Sequence, residues 1–145
     1  MVEIEELKNI LIQKKASLVV AYADGEIKEY YQDRIKDLIS ILKQNENALK
    51  GSKIADKVVG KVAASIMAVA GIEVLYADTI SKLAIPVLEN AKIKYYCNNV
   101  VEYIKNNDKT GMCPMEEKYQ QETDISKIYY DKIKGWNING WKNNK

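Results

Sequence analysis

Between residues 52 and 97, short β-rich runs alternate with segments of helical period, and this alternation constrains the fold more than any other feature. The runs at 52–55, 72–77 and 93–97 read as strands. Residues 57–70, opened by Asp56 and stopped by Gly71, read as a helix. A second helix is expected over about 82–90, with Pro86 distorting it or delaying its start. Strands joined through helices imply right-handed crossovers and a parallel portion of sheet.

The flanking residues add an antiparallel portion. Residues 17–23 and 26–31 are β-rich and are separated by Asp24-Gly25, a strong hairpin signal. Ile4, Leu7, Ile10 and Leu11 make residues 2–14 an amphipathic helix. Asp33 is placed to cap a helix carrying Ile35, Leu38, Ile39 and Leu42. Residues 99–105 read as a short helix, and Pro114 suits the first turn of another. The expected class is therefore α/β: three layers, with a mixed sheet of about five strands between helices. Residues 1–121 form the domain, and 122–145 are a Tyr/Trp/Lys-rich C-terminal extension, partly helical.

Charge and composition exclude several functions. The chain has 22 basic and 20 acidic residues, and Arg34 is its single arginine. Such a balance argues against nucleic-acid binding, where arginine forks and a basic face are the rule. The longest apolar-rich stretch, residues 58–70, is interrupted by Gly60, Lys61 and Ser65, so no membrane span is expected. Residues 1–6 lack the pattern of a signal peptide, and Cys97 and Cys113 do not look like a disulfide framework. A reducing cytoplasm is the expected compartment.

Three stretches carry a family resemblance: residues 55–63 (ADKVVGKVA), residues 72–77 (IEVLYA) running on to 91, and residues 110–116 (TGMCPME). Over roughly residues 15–118 the chain resembles the domain of unknown function 1893 family. The resemblance implies a cytidine-deaminase-like fold and assigns no activity. Fold by itself does not carry function.

A zinc deaminase needs a His or Cys followed two residues later by a Glu, and a P-C-x-x-C at the next helix start. Carried over by order, those places hold Asp56-Lys57-Val58 and Asp78-Thr79-Ile80-Ser81. The chain has no histidine, and neither place offers a cysteine, so the zinc site is excluded and no metal is expected. Triad catalysis through histidine is excluded as well.

The polar groups left at those expected helix starts are Asp56, Lys57 and Lys61, and Asp78, Thr79 and Ser81. Helix N-termini favour anions, which suggests a nucleotide or ADP-ribose-like ligand held without catalysis. The plain alternative makes Asp56 and Ser81 ordinary caps, Lys57 and Lys61 solvated, and Gly60 a packing contact. Cys113, beside Pro114 at an expected helix start, is a candidate thiol for an enzyme or a sulfur or redox carrier, or else a small residue in a turn. Cys97 reads as a buried strand residue. Tyr129, Tyr130, Trp136 and Trp141 make the extension either a surface for a protein partner or homodimer, with a scaffold role, or a segment packed back on the domain.

Overall fold

The computed structural model describes residues 2–32, 35–106 and 108–134. Asp33, Arg34, Trp136 and Trp141 lie outside the described residues. The chain runs α1 (Ile4–Gln13), β1 (Leu18–Ala21), β2 (Ile27–Tyr30), α2 (Lys36–Gln44), β3 (Lys53–Val59), α3 (Lys61–Ala70), β4 (Val74–Ser81), α4 (Ile85–Asn90), β5 (Lys94–Val101), α5 (Pro114–Tyr119) and α6 (Ile125–Tyr129). A π-helical turn, Tyr130–Lys134, continues α6.

The five strands form one mixed sheet in the order β2-β1-β3-β4-β5. β1 pairs antiparallel with both β2 and β3, whereas β3, β4 and β5 are parallel. The β1–β2 hairpin closes through a 2.8 Å hydrogen bond from Tyr22 N to Glu26 O, with Gly25 at a positive φ of 96°. Glycine takes that conformation without the steric cost other residues meet.

Helices cover both faces, as the class requires. α1 lies across β1, β3 and β4, and its Leu7 and Leu11 close a small core with Val19, Ala55 and Tyr76. Burying each leucine contributes roughly 2 kcal/mol. The larger core lies on the opposite face, where α3 is central. Its small and branched residues let the sheet, α4, α5 and α6 approach closely, and eight of its ten residues are buried. Gly71 ends it in the left-handed conformation, at φ 82°.

Several element boundaries differ from the sequence expectation. Asp56 does not start a helix: β3 continues through it to Val59, and α3 begins at Lys61. The β-branched pair Val58-Val59 stays extended, and Lys57 N donates to Ser17 O at 3.0 Å. Likewise Asp78, Thr79 and Ser81 all lie in β4, and α4 begins at Ile85 with Pro86 in its first turn. Residues 99–101 extend β5 rather than forming a helix, held by pairing to β4 at Asn99, Val100 and Val101. Cys97 is exposed, not buried, because β5 is an edge strand that the helices leave largely uncovered.

Residues beyond 122 pack back onto the domain as far as Lys134. Ile128, Tyr129 and Ile133 are buried in the larger core, and α6 lies against α3. Tyr130 faces outward, 42% exposed.

Candidate functional site

The carboxyl ends of β3, β4 and β5 open into a pocket of about 500 Å3. In open α/β sheets this is the end at which ligands bind. β3 supplies Asp56, Lys57 and Val58, β4 supplies Thr79, and β5 supplies Val101. The segment after β5 closes the side with Tyr103, Lys105, Asn106 and Lys109.

Local backbone chemistry builds that side wall. Asn106 accepts from Thr110 N at 3.0 Å and donates to Thr110 Oγ1 at 3.2 Å. Asn106 N donates to Gly111 O at 2.9 Å. Lys109 sits within this turn at a positive φ of 60°, a conformation that lysine seldom adopts. The turn therefore presents Lys109 to the pocket on a constrained backbone.

Asp56 is the unusual group in the pocket. It is only 5% exposed, and burial pushes its carboxyl up to about 8. Backbone N–H groups of Lys57 and Val58 oppose the shift, and the Asp37 carboxylate adds to it. At neutral pH Asp56 is therefore largely protonated and able to donate as well as accept. Lys57, Lys105 and Lys109 are exposed cations on the same pocket.

The pocket thus unites Asp56, Lys57 and Thr79 from the expected ligand set and leaves Lys61, Asp78 and Ser81 outside. Lys61 is not solvated. Its side chain reaches the carbonyls of Gln120 and Glu122 and ties the chain after α5 to the start of α3. Desolvation lowers its pKa, against the raising effect of Glu122 and Glu116. Asp78 accepts from Tyr76 Oη at 3.1 Å and from Asn98 Nδ2 at 3.5 Å. Ser81 is fully buried, and its Oγ accepts from Leu83 N at 2.9 Å.

The N-terminus of α3 is already occupied by the protein's own carboxylate. Glu116, 2% exposed, accepts from Lys61 N at 2.7 Å through Oε1 and from Ile104 N at 2.9 Å through Oε2. This assigns a structural part to the TGMCPME stretch, and it removes the expected anion site at that helix. Gly60 is a packing contact: a Cβ there would meet Glu116 Oε1 at 2.8 Å and Ile104 Cγ1 at 3.0 Å.

Cys113 is buried, and its backbone N–H donates to Ile104 O at 2.8 Å. It lines a cavity of only about 40 Å3 beside Gly60 and Glu116, too small to admit a substrate. Among the described residues no group of three or more His, Cys, Asp or Glu side chains is placed to hold a metal ion. No described helix is long and apolar enough to cross a membrane.

Sequence reasoning missed Tyr103, Lys105, Asn106 and Lys109. Their signal was present in the polar run 105–110, which reads as an ordinary loop until β5 is seen to deliver it to the strand ends.

No protein of curated function matches the chain. The chain is similar in structure to a DUF1893 family protein from Thermotoga maritima, whose crystal structure was determined at 2.70 Å resolution. The TM-score is 0.78 at 26% identity, covering 89% of this chain and 88% of that one. A weaker likeness, TM-score 0.44 at 10% identity, is to a diaminohydroxyphosphoribosylaminopyrimidine deaminase/5-amino-6-(5-phosphoribosylamino)uracil reductase from the same organism. It covers 92% of this chain and 42% of that one. The family description, Domain of unknown function (DUF1893), matches residues 6–134, a span that takes in α6 as well as the three stretches noted in the sequence. The chain belongs to the DUF1893 family.

Proposed function

We propose that the chain is a non-catalytic domain that binds a nucleotide or ADP-ribose-like ligand at the carboxyl ends of β3, β4 and β5. The observation that supports this is the pocket itself. About 500 Å3 suits a ligand of that size, and three lysines share the lining with one buried carboxyl group. Lysine ammonium groups attract phosphate as point charges, and a protonated Asp56 adds no opposing charge. An Asp56 able to donate or accept is suited to a ribose hydroxyl. Thr79 and Asn106 offer further neutral hydrogen bonds. The ligand in this reading sits on strand ends and not on helix N-termini, since Glu116 fills the start of α3.

Isothermal titration with ADP and with ADP-ribose tests the reading. Binding of either should weaken about tenfold or more in Lys57→Glu and in Lys109→Glu, each loss being worth about 1.4 kcal/mol. Affinity unchanged in both variants would place the ligand elsewhere. The zinc deaminase reaction is excluded by the absence of histidine and of cysteine at the strand ends.

A further inference from the structure

Among the described residues, Tyr103 is the one aromatic side chain lining the strand-end pocket. It is also a tyrosine that the protein itself leaves unclaimed. Of the ten tyrosines, six engage a hydroxyl hydrogen bond: Tyr22 with Tyr30, Tyr31 with Glu29, Tyr76 with Asp78, Tyr95 with Glu89 and Tyr119 with Asp131. Tyr96 lies under the Lys94 ammonium, 6.0 Å from its ring centroid. Tyr129 is packed in the larger core, and Tyr130 faces solvent. Among the described residues, Tyr103 has neither a hydroxyl partner nor a cation over its ring, and it stands half-buried against the pocket. A tyrosine withdrawn from water usually finds a partner for its hydroxyl and a neighbour for its ring.

The backbone holds Tyr103 in place from both sides. The chain bends at Glu102 and Tyr103, directly after β5. Before the bend, Val101 O accepts from Lys82 N at 2.8 Å. After it, Ile104 N donates to Glu116 Oε2 at 2.9 Å, and Ile104 O accepts from Cys113 N at 2.8 Å. A side chain fixed in advance takes up a ligand without the cost of ordering a loop. Val58, Val101 and Ile104 add apolar surface to the same pocket. A ligand made only of sugar and phosphate would use the lysines and leave this apolar group without a partner. A nucleobase has the flat, weakly polar face that fits it.

We infer that Tyr103 is the platform on which an aromatic base stacks, so that the pocket selects nucleotides over sugar phosphates. This inference rests on the ligand reading above and adds the residue that decides which phosphorylated compounds are held. Lys57 is on β3, and Tyr103 follows β5, with β4 between them. Two strand spacings amount to about 10 Å. A ligand with its base on Tyr103 therefore extends across Thr79 of β4 to bring phosphate to Lys57. Every base presents a π-face, so stacking here requires a base without choosing among bases.

Isothermal titration of the full chain with ADP, AMP and ribose 5-phosphate tests it. AMP and ribose 5-phosphate share a sugar phosphate and differ by the base. The wild-type protein should bind AMP about tenfold or more tighter than ribose 5-phosphate. Tyr103→Ala and Tyr103→Leu should each weaken ADP and AMP about tenfold and leave ribose 5-phosphate unchanged, the leucine showing that a ring and not bulk is required. Tyr103→Phe, which keeps the ring and drops the hydroxyl, should bind as the wild type does. Circular dichroism checks that each variant is folded, and the comparison of AMP with ribose 5-phosphate needs no variant at all. AMP bound no tighter than ribose 5-phosphate would overturn the inference. So would ADP affinity unchanged in Tyr103→Ala and Tyr103→Leu; if Lys57→Glu and Lys109→Glu still weaken ADP, the ligand reading survives that result. Failure of ADP to bind the wild type would overturn the ligand reading and this inference with it.

Discussion

Glu116 caps Lys61 across 55 residues of sequence: its Oε1 accepts the Lys61 backbone N–H at 2.7 Å while its Oε2 accepts that of Ile104 at 2.9 Å. One buried side chain thereby joins the start of α5, the first turn of α3 and the segment that walls the pocket. Hydrogen bonds to a charged group contribute about 1.5–3 kcal/mol each, and stranding their buried donors costs more than the bonds themselves contribute. Glu116→Ala should therefore lower unfolding stability by about 3 kcal/mol. Glu116→Gln, which keeps one acceptor and turns an N–H2 toward the other donor, should lose a similar amount despite its matched shape. Urea denaturation measures both, and a loss in Glu116→Gln below about 0.5 kcal/mol, typical of an exposed site, would contradict the assigned role.

Gly60 and Glu116 should prove energetically coupled. Gly60 has an ordinary extended backbone, φ −102° and ψ −172°, so alanine there is not strained in itself. The obstacle is the Glu116 carboxylate 2.8 Å from the added Cβ. Gly60→Ala should cost about 1–3 kcal/mol in the native protein, as overpacking does. It should cost less where Glu116 is already alanine. A double-mutant cycle by denaturation reads the coupling, and strict additivity would show that the contact does not matter.

The burial of Asp56 gives stability a pH dependence of definite sign. Its carboxyl titrates at about 8 in the folded protein against 3.8 for the ordinary group. Between those values the folded chain holds a proton that the unfolded chain has released. Stability from this group is therefore fully present below about pH 4 and declines as pH rises to about 8, by at most about 1.4 kcal/mol per pH unit. Asp56→Asn mimics the protonated form and should remove this decline. Denaturation of both proteins at pH 5.5 and 8.5 gives the comparison. Equal pH dependence in the two would show that Asp56 is already ionised at neutral pH.

Ile128 tests whether the chain after residue 122 belongs to the folded domain. It is fully buried against α3, within the larger core. Ile128→Ala should cost about 2–4 kcal/mol, the usual loss for a core aliphatic. In the same assay Tyr130→Ala, at an exposed site on the adjoining turn, should cost under about 0.5 kcal/mol. Comparable losses in the two variants would indicate a segment that does not pack as described.

The strand and helix order was legible because its signals are local. Asp24-Gly25 marked the hairpin, the apolar face of residues 4–11 marked α1, and Gly71 marked the end of α3. The starts of α3 and α4 were misread for one physical reason. Asp56 and Ser81 look like helix caps in isolation, but both belong to strands held by pairing with distant partners. The true N-cap of α3 is Gly60, with its capping acceptor supplied from α5, so no neighbouring residue reveals it. The candidate site divided along the same line. Asp56, Lys57 and Thr79 stood out by type, whereas Tyr103, Lys105, Asn106 and Lys109 acquire meaning only when parallel pairing brings β5 beside β4.

The most direct test of ligand binding at the strand ends is an amide proton–nitrogen NMR titration of the full chain with ADP-ribose. Shifts confined to residues 56–58, 79 and 101–109, saturating with added ligand and abolished by Lys57→Glu/Lys109→Glu, are the predicted result. No shifts up to about 5 mM ligand, or shifts clustered away from the pocket, would contradict it.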